Sequence, residues 1–210
     1  SHYLMASLPR QFDLVVHGWA GSLVLAATVV ELRGRVGRVV ALATPGDFAV
    51  PSPLAQQALE AGGRFGSYGN DAEGARVFEL LFAMGAKIRP PQLSALRSEA
   101  FVDLGATGAA HLLAWMKRGD LTLATGEALT RRLARYQLPT LQFLALADGW
   151  ANAELCSTLR EVTQARIELK TFSRFIAFPE DYSHLSLLHG ERAPRDVWAH
   201  ALEFLDREPR

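Results

Sequence analysis

The sequence predicts an α/β fold built on a parallel sheet, and the spacing of its apolar segments indicates this fold. Segments 12–17 and 38–43 have the character of buried strands and are separated by about one helix of chain. Both are apolar nearly throughout, which is typical of parallel strands that are covered on both faces. A third apolar run at 139–147 resumes the pattern after a long helical stretch. A chain of 210 residues is long enough for one such domain with an inserted segment.

The remaining elements follow from apolar periodicity and from Gly and Pro punctuation. A fourth strand is predicted at 165–172. Helices are predicted at 21–33, 54–61, 109–117, 126–136, 152–163 and 193–206, and a helical stripe at Val77, Leu80, Leu81 and Met84. No strand is predicted between the second and third strands. We therefore predict a sheet core of 1–48 and 138–210, with residues 49–137 inserted as a helical lid.

Composition excludes several classes of partner. Lys and Arg together number 22, as do Asp and Glu, so the formal net charge of zero gives no basis for binding nucleic acid or an anionic membrane. A single cysteine, Cys156, excludes an internal disulfide and a cysteine-based zinc site. No apolar run has the roughly 18 residues of a membrane span, and the first residues lack a signal-peptide pattern. We expect a cytoplasmic protein with no cofactor and no metal, because phosphate-loop and metal-ligand spacings are absent.

Residues 12–22 carry the most informative local pattern. An apolar strand leads into the small residues Gly18, Ala20 and Gly21, and a helix begins directly afterwards. This strand–turn–helix arrangement is typical of a nucleophile elbow, in which a G-x-S-x-G turn presents a serine above a parallel sheet. When residues 16–20 are placed on that pattern, Gly18 occupies the position of the nucleophile.

Two further polar residues follow later strands. Asp148 comes after the third strand and His184 after the fourth, so elbow, acid and histidine occur in the chain order of a serine hydrolase. In such a site the histidine takes the proton of the nucleophile and the acid fixes the histidine tautomer. The carboxyl ends of parallel strands meet at one edge of a sheet, where open α/β sheets place their sites.

These motifs resemble those of the α/β-hydrolase superfamily, in particular its esterase/lipase-like and polyhydroxyalkanoate synthase-like branches. Residues 15–21 resemble the elbow, 39–48 the strand and turn after it, 148–154 the acid loop and 182–184 the histidine loop. The resemblance extends over almost the whole chain. It implies an α/β-hydrolase fold with a lid, corresponding to the C-terminal portion of that fold.

The resemblance also implies roles for individual residues. Asp148 and His184 occupy the acid and histidine positions, and Gly18 replaces the serine. Trp19 would supply an oxyanion donor through its backbone N–H, while Trp150 and His17 would lie beside the substrate. A mostly apolar lid favours a small acyl or ester ligand. We therefore expect a protein of acyl-hydrolase type that is weakly active or inactive as it stands.

Several alternatives remain open. Residues 17–21 also resemble the His-Gly oxyanion loop of the superfamily, and the elbow would then be 65–69 with Ser67 as the nucleophile. Ser22 or a water activated by His184 could supply the nucleophile instead, or the protein could be a non-catalytic binder of an acyl ligand or partner. Gly18 could also be an engineered replacement.

Four of these residues also have a purely structural explanation. Gly18 could be a turn glycine, His184 a loop histidine, Asp148 a helix cap and Cys156 a packing residue.

The superfamily carries several strands before its elbow strand, whereas here the elbow strand comes almost first. Left unpaired, that strand would be an apolar sheet edge that is prone to pairing. We therefore expect a partner segment, a second chain or a homo-oligomer at this edge, a longer protein, or a reduced fold.

Overall fold

Four parallel strands form one sheet in the computed structural model, which describes residues 11–49, 52–61, 72–85, 87–100 and 105–207. The strands lie in the order β1 (Phe12–His17), β2 (Val36–Leu42), β3 (Thr140–Ala145) and β4 (Ile167–Phe172). Val15, Val40, Leu141 and Glu168 are aligned across the sheet. The predicted α/β fold with a parallel sheet is confirmed.

Helices connect and cover the strands. The α-helices are α1 (Gly18–Val29), α2 (Pro53–Glu60), α3 (Ala72–Phe78), α4 (Pro90–Ala95), α5 (Gly105–Arg118), α6 (Leu129–Leu133), α7 (Ala153–Val162), α8 (Ser186–His189) and α9 (Ala199–Leu205). Shorter turns are π-helical at Glu79–Ala83, Leu96–Ala100 and Pro194–Trp198 and 3₁₀-helical at Arg174–Ile176. None of the helices in the described ranges is long and apolar enough to cross a membrane.

The sheet divides the apolar core into two layers because successive side chains of a strand point to opposite faces. Val39 and Ala41 of β2 pack with α1 in one layer, whereas Val40 and Leu42 pack in the other with residues of β3, β4 and the C-terminal helices. All four side chains are at most 2% exposed. This two-sided burial explains why β2 is apolar almost throughout its length.

The described elements between β2 and β3 are helical, apart from one isolated antiparallel bridge between Thr122 and Ala128. Arg132 of α6 joins this region to the core through ion pairs with Glu127 at 2.9 Å and with Glu31, just beyond α1, at 3.0 Å. The division into a core of 1–48 and 138–210 and a lid of 49–137 stays a prediction.

The predicted helical stripe at Val77, Leu80, Leu81 and Met84 is wrong in its register. The side chains that face the core are Phe78, Leu81 and Phe82, each at most 2% exposed, while Met84 is 45% exposed. Met84 follows the last residue of the π-helical turn Glu79–Ala83 and has an extended backbone, with φ −65° and ψ 139°, so its side chain no longer continues the helical face.

β1 lies at one edge of the described sheet, next to an exposed apolar surface. Val15, Leu23 and Val30 are all at least 40% exposed, although α1 is apolar nearly all round, a composition typical of a covered helix. The further strand, second chain or second copy expected at this edge stays a prediction.

Candidate functional site at the carboxyl edge of the sheet

The turn between β1 and α1 has the backbone geometry of an elbow. His17 is extended, with φ −138° and ψ 140°, and the next residue, Gly18, has φ +60°. That left-handed conformation is readily adopted by glycine and costs other L-residues about 1–2 kcal/mol. One residue therefore turns the chain directly from strand into helix at the carboxyl end of β1.

The structure brings Gly18 and His184 into contact. A Cβ atom placed on Gly18 would lie 3.1 Å from both Cε1 and Nε2 of the His184 imidazole. Any side chain at position 18 would therefore point at the nitrogen that accepts a proton in a nucleophile–histidine pair.

His184 and Asp148 form a buried pair. Nδ1 of His184 lies 2.8 Å from Oδ2 of Asp148, and the two side chains are 8% and 0% exposed. Because a carboxylate oxygen accepts, Nδ1 of the imidazole carries a proton, and in the neutral form of this tautomer Nε2 is an acceptor toward Gly18. The other oxygen, Oδ1, accepts the backbone N–H groups of Trp150 and Ala151 at 2.8 and 2.7 Å. These two bonds hold the carboxylate in a fixed orientation.

His17 also contacts His184. Its Nε2 donates a hydrogen bond to the backbone carbonyl of His184 at 3.0 Å, and the two rings are 4.1 Å apart between centroids. Burial, together with the nearby His184 imidazole, lowers the pKa of His17 from 6.5 to about 3. His17 is therefore neutral near pH 7. Sequence reasoning placed His17 beside a substrate; that assignment stays a prediction.

Four aromatic side chains pack together beside His184. We call Trp19, Phe48, Phe82 and Trp150 the aromatic cluster. Trp19 lies 5.4 Å from Phe48 and 5.0 Å from Trp150, and Phe82 lies 5.1 Å from Trp150 and 6.0 Å from the His184 ring. All four are at most 9% exposed. Phe82 brings this cluster into contact with the His184 ring.

Trp19 brings two donors to this region. It is the second residue of α1, and helix geometry leaves the first four N–H groups of a helix without an intrahelical acceptor. Its side-chain Nε1–H is buried and has no hydrogen-bond acceptor among the described residues. The role of the Trp19 backbone as an oxyanion donor stays a prediction.

The residues that could replace Gly18 as the nucleophile, and the alternative structural roles, can be compared with the structure. Ser22 is buried and donates its hydroxyl to the carbonyl of Pro45 at 2.6 Å, while Ser67 lies outside the described residues. Cys156 is buried, its Sγ bonds the carbonyl of Ala151, and burial raises the pKa of its thiol well above the ordinary value. The cap of α7 is Asn152, whose side chain accepts from Leu155 N–H, so the reading of Asp148 as that cap is wrong.

Sequence reasoning missed Phe82 and the π-helical turn that carries it. The available signal was the spacing of Phe78, Leu81 and Phe82, which places three large apolar side chains on one helical face. The described ranges contain no group of three His, Cys, Asp or Glu residues that could hold a metal ion.

A cavity of about 600 Å³ lies at the opposite edge of the sheet, where the strands begin. Three charged side chains in its lining have partners: Arg207 pairs with Glu168 at 2.9 Å, and Arg38 donates to the carbonyls of Phe204 and Leu205. We therefore place the candidate functional site at the carboxyl edge, where Asp148, His184 and Gly18 meet.

Comparison with known proteins defines the fold. An esterase from Exiguobacterium antarcticum superposes with a TM-score of 0.61 at 15% identity, over 97% of this chain and 69% of that one. A hydrolase from Pseudomonas aeruginosa superposes with a TM-score of 0.59 at 18% sequence identity, over 98% of this chain and 69% of that one. An α/β-hydrolase enzyme from a Medee basin deep-sea metagenome library superposes with a TM-score of 0.57 at 14% sequence identity, also over 98% of this chain and 69% of that one.

The chain therefore has the α/β-hydrolase fold, and it spans about two thirds of the length of these solved structures. No protein-family model matches the sequence, and no curated protein matches it.

Proposed function

We propose that the chain is an α/β-hydrolase-fold protein of acyl-hydrolase type in which Gly18 stands where the nucleophile serine would be. The observation that carries this proposal is the contact between Gly18 and His184, whose imidazole is bonded to Asp148 on its other side. In this proposal Asp148 is the acid and His184 is the base, and the group that they would activate is missing. We infer that ester hydrolysis by the chain as it stands is weak or absent.

The chemistry that a hydroxyl at position 18 would allow is straightforward. The serine oxygen would attack the ester carbonyl while its proton passes to Nε2 of His184, and the same proton would then leave with the alcohol. Water would hydrolyse the resulting acyl-enzyme by the same route. The Trp19 backbone N–H would donate to the developing oxyanion, an interaction of about 2.7–4 kcal/mol in comparable sites.

The aromatic cluster supports an acyl or ester ligand over a sugar or a phosphate. Its members are buried, Phe82 lies against the imidazole, and the buried Trp19 indole N–H offers one donor for a carbonyl oxygen. We assign His17 and Trp150 to the surroundings of this ligand. We place the protein in the cytoplasm, because its single cysteine suits a reducing compartment.

The test is hydrolysis of short and medium-chain p-nitrophenyl esters by the unaltered chain, Gly18→Ser and Gly18→Ala. Gly18→Ala is the matched control, because it carries the same backbone strain and the same Cβ without the hydroxyl. We expect turnover from Gly18→Ser only, and its loss when His184→Ala is added. Equal inactivity of folded Gly18→Ser and Gly18→Ala would contradict the proposal of a retained acid–base pair.

The same assay distinguishes the proposed function from two alternatives. If the unaltered chain already hydrolyses esters and Ser67→Ala abolishes the activity, the nucleophile is Ser67. If no variant turns over but the unaltered chain binds medium-chain fatty acids by calorimetry, the protein is a non-catalytic acyl binder. The observation that favours this second function is the buried indole N–H of Trp19, which has no acceptor among the residues that the structure describes.

A further inference from the structure

The peptide group that follows His184 is held from two sides. Its carbonyl oxygen accepts the Nε2–H of His17 at 3.0 Å, and its N–H, which belongs to Leu185, donates to the carbonyl of Phe82 at 2.8 Å. One bond comes from the last residue of β1 and the other from the π-helical turn Glu79–Ala83. Both polar atoms of this peptide group are thus bonded to elements outside the histidine loop.

The side chain of His184 is enclosed by the same residues. The His17 ring lies 4.1 Å from the His184 ring at an angle of 40°, and the Phe82 ring approaches it edge-on at 6.0 Å. Asp148 bonds Nδ1, and the backbone of Gly18 lies next to Nε2. Rotation of the imidazole away from position 18 would therefore require these neighbours to move.

We propose that His17 is a positioning residue, whose hydrogen bond to the His184 backbone carbonyl holds the imidazole against position 18. This inference deepens the proposed function and rests on it, because it concerns the base of the same site. His17 itself touches no reacting atom. Without its donor, the peptide group after His184 would lose one of the two hydrogen bonds that hold it.

The alternative is that His17 merely fills space, and the two roles predict different behaviour of substituted chains. A packing residue can be replaced by an apolar ring of similar size. A positioning donor can be replaced only by a group that brings an N–H to the place of Nε2. Glutamine does so through its side-chain amide, whereas asparagine is one methylene too short. Gln and Asn at position 17 therefore form a matched pair.

The experiment follows the low-field proton resonance of His184 Nδ1–H in the chain with Gly18 unaltered, assigned by its loss in His184→Gln. We expect His17→Gln to keep its chemical shift and slow solvent exchange. We expect His17→Asn and His17→Phe to exchange at least tenfold faster or to lose the resonance. Unchanged shift and exchange in His17→Asn and His17→Phe would overturn the proposal, as would loss of the resonance in His17→Gln.

A second measurement covers the case in which a variant does not fold. Amide hydrogen exchange of Leu185 in the unaltered chain should be slowed at least a hundredfold relative to an unstructured peptide, because its N–H is bonded to Phe82. Exchange at the unstructured rate would show that the peptide group after His184 is not held in place, and would overturn the proposal.

Kinetics in the Gly18→Ser background then separate the two proposals. Adding His17→Asn should lower kcat at least tenfold with little change in KM, and His17→Gln should largely restore it. If Gly18→Ser is inactive while the resonance behaves as expected, the proposed hydrolase function fails and the positioning role stands. If Gly18→Ser is active and His17→Asn leaves kcat unchanged, the positioning role fails alone.

Discussion

The imidazole of His184 lies so close to the backbone of Gly18 that a Cβ atom at position 18 would be 3.1 Å from two of its ring atoms. This distance is shorter than ordinary van der Waals contact between carbon atoms. A side chain at position 18 would therefore require the imidazole to move by a few tenths of an ångström. Gly18 and His184 are mutually adapted, and a substitution at either one should affect the other.

Gly18→Ala should therefore destabilise the protein more than backbone strain alone predicts. Gly34 is the matched control: its φ is +74°, and a Cβ there would meet nothing within 4 Å. We expect Gly34→Ala to cost about 1–2 kcal/mol, which is the cost of the left-handed conformation. Gly18→Ala should cost a further 1–3 kcal/mol or so, because the His184 ring must shift.

Urea unfolding of the two variants measures this difference, provided that the m-values agree. Adding His184→Ala should reduce the cost of Gly18→Ala to about that of Gly34→Ala, since the contact is then gone. Equal costs for Gly18→Ala and Gly34→Ala in the presence of His184 would contradict the close contact.

The buried, neutral state of His17 should make stability depend on pH. The pKa of His17 is about 3 in the folded protein and about 6.5 in the unfolded chain. The unfolded chain therefore binds a proton between these values that the folded protein does not bind. The free energy of unfolding should fall by about 1.4 kcal/mol per pH unit as the pH decreases through this window.

The comparison of the unaltered chain with His17→Gln isolates this contribution, because glutamine does not titrate. Between pH 7 and pH 5 the unaltered chain should lose about 2 kcal/mol more than the variant, a difference that unfolding at each pH measures. Above pH 7 the two curves should run parallel. Parallel curves down to pH 4 would show that His17 takes up a proton in the folded protein as readily as in the unfolded chain.

Asp148 supports both the histidine and its own loop, and two substitutions distinguish these roles. Asp148→Ala leaves the buried N–H groups of Trp150 and Ala151 without their acceptor, at a cost of about 1–3 kcal/mol each. Asp148→Asn keeps an oxygen for those bonds but presents an NH₂ group to His184 Nδ1. That change moves the imidazole proton to Nε2, the nitrogen that faces Gly18.

Asp148→Asn should therefore remain nearly as stable as the unaltered chain while the imidazole tautomer switches, which ¹⁵N chemical shifts of the histidine report. In the Gly18→Ser background it should lower activity on the order of 10³–10⁴-fold. A large loss of stability in Asp148→Asn, or an unchanged tautomer, would contradict this division of roles.

The strands and the order of the site residues could be predicted from the sequence because both follow from local patterns. β1 and β2 are apolar runs bounded by small residues, and the parallel arrangement follows from the single helix between them. The proximity of Asp148 and His184 follows from the shared carboxyl edge of the sheet. Neither inference needs any knowledge of side-chain packing.

Contacts that depend on packing between distant segments could not be predicted in this way. The spacing of Phe78, Leu81 and Phe82 indicates a buried helical face, but the contacts of Phe82 with Trp150 and His184 depend on how that face packs against distant segments. The bond from His17 to the His184 carbonyl joins residues 167 positions apart, and only the folded loop places them together. The apolar stripe that predicted a buried Met84 gave no indication of either feature.

Gly149 marks a direct backbone contact between the π-helical turn and the loop of Asp148. A Cβ atom on Gly149 would collide with the carbonyl oxygen of Leu80 and would lie 3.1 Å from Cα of Leu81. Neither backbone can yield without separating the turn from the loop. Gly149→Ala should therefore destabilise the protein by about 2–3 kcal/mol and displace the adjacent Asp148 from His184.

Gly37→Ala is the control for this prediction, because a Cβ there would meet only the exposed side chain of Asp13, whose Oδ1 would be 2.8 Å away and can move at the cost of its bond from the Arg38 backbone N–H. We expect Gly37→Ala to cost less than about 1 kcal/mol. Thermal and urea unfolding compare the two variants, and the His184 Nδ1–H resonance should change in Gly149→Ala alone. If Gly149→Ala is as stable as Gly37→Ala and keeps that resonance, then the π-helical turn does not hold the acid loop in place.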